Sequence, residues 1–156
     1  MTGFQKTNLI KKLTESHAAT QGILENVDLE LLVYPEPAWQ VRDILWHIAV
    51  WDRQVAKSIQ AFLSGGEYGI PNFDENLFND ASLLEGRKLT PDQLLSECDR
   101  ARSEFQLAVV RVPDDLLRTE FLYPWGDESG DVAQVVKHMI EHDEEHRSEI
   151  IAVANR

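Results

Sequence analysis

Helix-breaking residues are confined to a few short stretches of this chain. The prolines and most of the glycines fall in Tyr34-Pro35-Glu36-Pro37, Ser64-Gly65-Gly66, the segment Tyr68 to Phe73, the span Gly86 to Pro91 and the region Pro113 to Gly130. The long uninterrupted runs between them suit only helices. Residues Gln5 to Asn26 carry apolar positions at helical spacing, namely Leu9, Leu13, Ala18 and Ile23-Leu24. Gln40 to Leu63 carries a fuller stripe of Val41, Ile44, Leu45, Ile48, Trp51, Val55, Ile59 and Phe62, closed by Ser64-Gly65-Gly66. A third helix starts at Thr90-Pro91 with Gln93 completing a capping box, and continues to Arg111. A fourth runs from Asp131 to Ala154, and a shorter one is expected from Asp74 to Glu85. Asp28 caps a short turn at Leu29–Leu32, Pro113-Asp114-Asp115 opens another, and Tyr123-Pro124-Trp125-Gly126 reads as a loop. The expected fold is all-α: a four-helix bundle with a short extra helix between the second and third long ones. Residues 1–156 read as one domain.

The halves echo each other. Val27-Asp28-Leu29-Glu30-Leu31-Leu32 resembles Val112-Pro113-Asp114-Asp115-Leu116-Leu117. Each is followed by a Pro/Trp loop and a helix in which a valine, Val41 or Val132, precedes a histidine, His47 or His138, by six residues. Two helix pairs related by a pseudo-twofold axis are expected.

Charge narrows the partners. The formal net charge of −12 repels phosphate backbones and anionic lipid headgroups, so neither nucleic acid nor a membrane surface is an expected partner. No apolar run approaches the ~18 residues of a membrane span, and Met1-Thr2-Gly3-Phe4-Gln5-Lys6 has no leader core. A cytoplasmic protein is expected. The single cysteine, Cys98, excludes an intramolecular disulfide and reads as an inert helical thiol.

Chemistry concentrates in Lys137-His138-Met139-Ile140-Glu141-His142-Asp143-Glu144-Glu145-His146-Arg147. Histidines four residues apart lie on one helix face, and an adjacent pair can place two imidazole nitrogens on one metal ion. Neither His138 nor His142 is followed by the glutamate of an HExxH zinc helix. A solvated charged face is the competing use of such a stripe. The apolar flanks Val135-Val136, Met139-Ile140 and Ile150-Ile151 favour burial instead, and buried imidazoles need partners.

His47, in apolar Leu45-Trp46-His47-Ile48-Ala49-Val50-Trp51, is the candidate third ligand on a facing helix. Three ligands leave an open position, the mark of a catalytic rather than structural zinc or nickel site. His17 reads as an exposed histidine. Asp52, Asp143, Glu144 and Glu145 are candidate acceptors for the second ring N–H of a ligand histidine, and spacing does not say which faces inward. Of the loop aromatics Trp39, Phe73, Tyr123 and Trp125, plugs closing the bundle ends are the commoner use and pocket walls the rarer one.

The segment Trp39–Trp51 and the run His138–Arg147 together resemble the DinB superfamily of metal-binding four-helix proteins, and the likeness extends over nearly the whole chain in helix order and length. The second-helix segment, Asn79 and the Phe121–Gly126 loop are most similar to the ClbS/DfsB branch. The resemblance implies a metal triad of His47, His142 and His146, with His138 at a position that is often histidine without being a ligand. It implies several chemistries: thiol S-transfer with bacillithiol, mycothiol or glutathione, maleylpyruvate isomerisation, and hydrolysis of a reactive cyclopropane. Their shared logic is a metal with an open site, which lowers the pKa of a bound water or thiol.

The expected function is a divalent-metal-dependent enzyme, with zinc or nickel and in some chemistries a low-molecular-weight thiol. It would act on small electrophiles as a thiol S-transferase or hydrolase. The rivals are a non-catalytic protein that sequesters a small molecule and a bundle whose histidines only stabilise it. A homodimer is a further expectation.

Overall fold

A computed structural model describes residues 2–156; Met1, which opens the stretch read as carrying no leader core, lies outside the described residues. Five helices carry the fold: α1 (Thr2–Leu24), α2 (Val41–Leu63), α3 (Glu75–Gly86), α4 (Pro91–Arg111) and α5 (Val132–Ala154). α1, α2, α4 and α5 form the bundle, and α3 is the short extra helix lying against α2. Among the described residues no helix is long and apolar enough to cross a membrane.

Around the bundle α1 packs against α5 and α4, and α2 packs against α4 and α5. Successive helices α1 and α2 are therefore diagonal, as are α4 and α5. A diagonal step must cross the bundle end, which a tight helical hairpin cannot do. Each crossing contains a two-stranded antiparallel ribbon: β1 (Leu32–Pro35) with β2 (Ala38–Gln40), and β3 (Phe121–Leu122) with β4 (Ser129–Gly130). The first opens with an Asx turn, Glu30 N–H donating to Asp28 Oδ1, and its loop holds a cis Glu36–Pro37 bond. The second follows a 3-10 turn at Asp114–Leu116. Tyr123 anchors it by donating to Asp131 O (2.8 Å), its ring resting where a Cβ on Gly130 would collide.

The ribbons were read from sequence only as turns and loops. Their strands are two to four residues long, too short to show alternation, and Pro35 and Pro37 hide the first.

Helix starts follow local chemistry. At α4 Thr90 Oγ1 accepts from Gln93 N–H while Gln93 Oε1 accepts from Thr90 N–H. Asp131 and Gln134 repeat the exchange at α5. At α2 the Gln40 N–H donates to Asp43 Oδ2, so an acidic residue inside the first turn does the capping. Asp74 caps α3.

The core is split. Leu9, Leu13, Trp51, Val55, Ile59, Phe105, Val109, Val135, Val136 and Met139 belong to one apolar cluster; Trp39, Val41, Ile44, Leu45, Ile48, Leu83 and Ile150 form another. Between them lies a buried polar belt of Ser16, Thr20, His47, Asp52, Arg102, Asp143 and His146. The belt corrects the expected stripe of α1. Ala18 is exposed, and the buried face continues from Leu9 and Leu13 through Ser16 and Thr20. Hydrophobicity alone could not find those two, because what they meet is charged.

Candidate metal centre

Three imidazoles meet at the belt. His47 comes from the second turn of α2, His142 and His146 from successive turns of α5. His142 Nε2 lies 3.1 Å from His47 Nε2 and 3.1 Å from His146 Nε2. One nitrogen from each ring falls within 4.8 Å of the others. Two nitrogens on one tetrahedral zinc stand ~3.3 Å apart at ordinary bond lengths. Spacing on α5 and the helical phase of α2 therefore bring together the three residues that the sequence singled out.

The His47 and His142 rings are held neutral. Burial, followed by the facing His142 and His146, lowers the pKa of His47 to about 2. Burial and His146 lower that of His142 to about 4. Neutral imidazole is the ligating form.

The far side of each ring decides its tautomer. His146 Nδ1 lies 2.7 Å from Glu149 Oε1, and Tyr34 donates to the same oxygen at 2.7 Å. A carboxylate there holds the proton on Nδ1 and leaves the Nε2 lone pair facing the other rings. Asn79 hydrogen-bonds His47 and also accepts from Trp51 Nε1 (3.1 Å). His142 Nδ1 is a buried atom with no hydrogen-bond partner among the described residues. The donor set, three imidazoles with converging ring nitrogens and no carboxylate among them, fits a divalent cation of the zinc or nickel kind.

The carboxylates named from sequence do something else. Asp52 and Asp143 turn away from the histidines and clamp Arg102, which is 2% exposed. Arg102 donates to Asp52 through Nε and Nη2, to Asp143 through Nη1 and Nη2, and to Leu13 O through Nη1, so all five of its N–H groups are used. Ser16 Oγ donates to Asp143 (2.7 Å) and accepts from Arg147 (2.9 Å). Burial pushes the Asp52 carboxyl up to about 6 against the pull of Arg102. Glu144 and Glu145 are exposed.

His17 pairs with Asp99 at 2.8 Å, away from the three rings. The Cys98 thiol, pushed up to about 12 chiefly by burial and then by nearby Asp52 and Asp99, is not a nucleophile at neutral pH. Glu149, Tyr34, Asn79 and Arg102 were not singled out as parts of the site by sequence reasoning. Glu149, three residues after His146, had the spacing to be found.

A pocket of about 350 Å³ opens onto the histidines, lined by His47, His142, Trp51, Phe73, Trp125 and His138 among others. Phe73 and Trp125 are thus pocket walls, not plugs. Tyr123 lies buried in the core beside Trp125, and Trp39 and His47 meet edge-to-face with centroids 5.2 Å apart. His138 lies tilted against Trp125, with ring centroids 5.0 Å apart, and adds no nitrogen to the cluster. A larger groove of about 700 Å³ between α1 and α5 holds none of the three histidines.

A sequence profile of the DinB superfamily matches residues 12–150. No curated protein matches the sequence. Among solved structures, YfiT from Bacillus subtilis, described as a probable metal-dependent hydrolase with an unusual four-helix bundle topology, superposes with a TM-score of 0.77 at 18% identity, over 97% of this chain and 87% of that one. A mycothiol-dependent maleylpyruvate isomerase superposes with a TM-score of 0.75 at 14% identity, over 93% of this chain. The chain spans 60% of that isomerase's length. An uncharacterised protein from Escherichia coli UTI89 gives 0.76 at 15% identity, over 96% and 92%. Identities this low show a shared fold.

Proposed function

The chain belongs to the DinB superfamily, and from that premise we propose that it is a divalent-metal-dependent enzyme acting on small electrophilic molecules, by hydrolysis or thiol transfer. The observation that carries this reading is the convergence of three imidazole nitrogens, two of whose rings, His47 and His142, line an aromatic pocket. His47, His142 and His146 would hold the metal, zinc or nickel by donor type. A cation held there supplies Lewis acidity, lowering the pKa of a water or thiol bound to it.

The chain's own groups set up the reaction. Glu149 fixes the His146 tautomer and Tyr34 fixes Glu149. Trp51, Phe73 and Trp125 shed water from an apolar substrate and hold it against the histidines. Within the family we propose the ClbS/DfsB branch, on the likeness of the second-helix segment, Asn79 and the Phe121–Gly126 loop.

The walled pocket also suits a protein that sequesters its ligand without turnover. Incubation of zinc-loaded and chelator-stripped protein with a panel of strained-ring and unsaturated electrophiles, with and without a small thiol, separates these readings. Mass spectrometry should show metal-dependent loss of substrate over many turnovers, with gain of water for hydrolysis or of thiol for transfer, and no such loss with His47→Ala. Consumption that stops at one molecule per chain would leave sequestration as the function.

A further inference from the structure

The pocket beside the three histidines is unbalanced in charge. Glu75 and Asp127 line it, and no lysine or arginine does. Neither carboxylate has an ion-pair partner among the described residues. Basic side chains on the neighbouring helices are committed elsewhere. Arg53 holds Glu97 and Glu104, Arg102 holds the two buried aspartates, and Lys57 sits over the Tyr68 ring.

The walls add to this. Trp51 packs against Phe73 (5.7 Å between centroids, 89° between planes) and Trp125 (6.1 Å, 61°). Both indole N–H groups are spent, on Asn79 Oδ1 and Glu128 Oε1. The pocket therefore meets a ligand with ring faces and edges, two carboxylates and the imidazoles of His47, His138 and His142, and offers no lysine or arginine to an anion. Ring faces carry partial negative charge and attract cations.

We infer that the pocket selects an apolar or aromatic molecule bearing a positive charge, and disfavours carboxylates. This rests on the pocket being the substrate site of the proposed enzyme. A metal on the histidines would make the floor positive, so the ligand's cationic end belongs at the mouth, between Trp125, Phe73 and the two acids. The same imbalance opposes a carboxylate-bearing thiol as co-substrate and favours hydrolysis over transfer from such a thiol.

Titration of chelator-stripped and zinc-loaded protein with benzyltrimethylammonium, its uncharged isostere neopentylbenzene, and phenylacetate, followed by tryptophan fluorescence, tests the inference. The ammonium should bind both forms at least about fivefold tighter than the isostere, and phenylacetate should not saturate the stripped form. Glu75→Gln/Asp127→Asn, both at exposed positions, should fold normally and lose most of that preference. Trp125→Leu should weaken the ammonium further.

Equal affinity for the isostere, saturable phenylacetate binding to stripped protein, no ammonium binding, or an unchanged preference in Glu75→Gln/Asp127→Asn would overturn the inference. Metal content of the same samples separates the two readings. Metal without cation preference overturns only the ligand class, whereas preference without any capacity for metal supports the ligand class and overturns the metalloenzyme.

Discussion

At His146 a single proton decides whether the ring can serve a metal. With that proton on Nδ1, shared with Glu149 at 2.7 Å, Nε2 presents a lone pair. Glu149→Gln keeps the shape and removes the charge that holds the proton. Loss of such an outer partner typically weakens a metal site 10–100-fold. Competition with a chelating dye should show zinc affinity reduced by about that factor in Glu149→Gln and less in Tyr34→Phe, which only steadies the carboxylate. Equal affinity in Glu149→Gln and the parent would show that the carboxylate does not tune the site. At this scale the sequence revealed the histidines because four-residue spacing is a local signal. Tyr34 was invisible because its approach to α5 depends on the β1–β2 ribbon.

Between elements, the buried clamp on Arg102 joins α4 to both histidine-bearing helices. Asp52 and Asp143 are each eleven residues into their helix, the same position in the two repeated halves. Removing the arginine leaves two buried carboxylates facing one another, and breaking such a network typically costs about 3–5 kcal/mol. Arg102→Met should lose about that much in urea unfolding. Its deficit should grow as pH rises. Without Arg102 the Asp52 carboxyl pKa in the fold rises further above the unfolded value of 3.8, so stability is retained below that value and lost as pH rises above it. A deficit independent of pH would mean the aspartates stay ionised without their partner. The helices themselves were legible because apolar period, caps and breakers agreed. The clamp was not, because its aspartates are indistinguishable by composition from the solvated acids beside them, Glu144 and Glu145.

For the whole molecule, the polar belt makes metal-free stability depend on pH. His47 and His142 have folded pKa values well below the ordinary 6.5, so the unfolded chain takes up protons first. Their contribution is complete above pH 6.5 and is lost as pH falls through the window down to about 4 for His142, with His47 extending it lower. Asp52, raised to about 6, opposes this with a smaller shift. The urea midpoint of stripped protein should therefore fall on going from pH 7 to pH 5, and zinc should raise it at pH 7 and far less at pH 5, where protons compete for the rings. A flat profile would show that the belt admits enough water to leave the histidines unshifted.

The proposed enzymatic function depends on His47, His142 and His146 holding a metal ion. Elemental analysis of the purified protein, beside a His142→Ala/His146→Ala variant prepared identically, tests it most directly. The parent chain should carry about one equivalent of zinc or nickel, absent from a variant whose circular dichroism is still that of the helical bundle. A parent that binds no metal even after incubation with excess zinc or nickel, or a folded variant that keeps its metal, would contradict it.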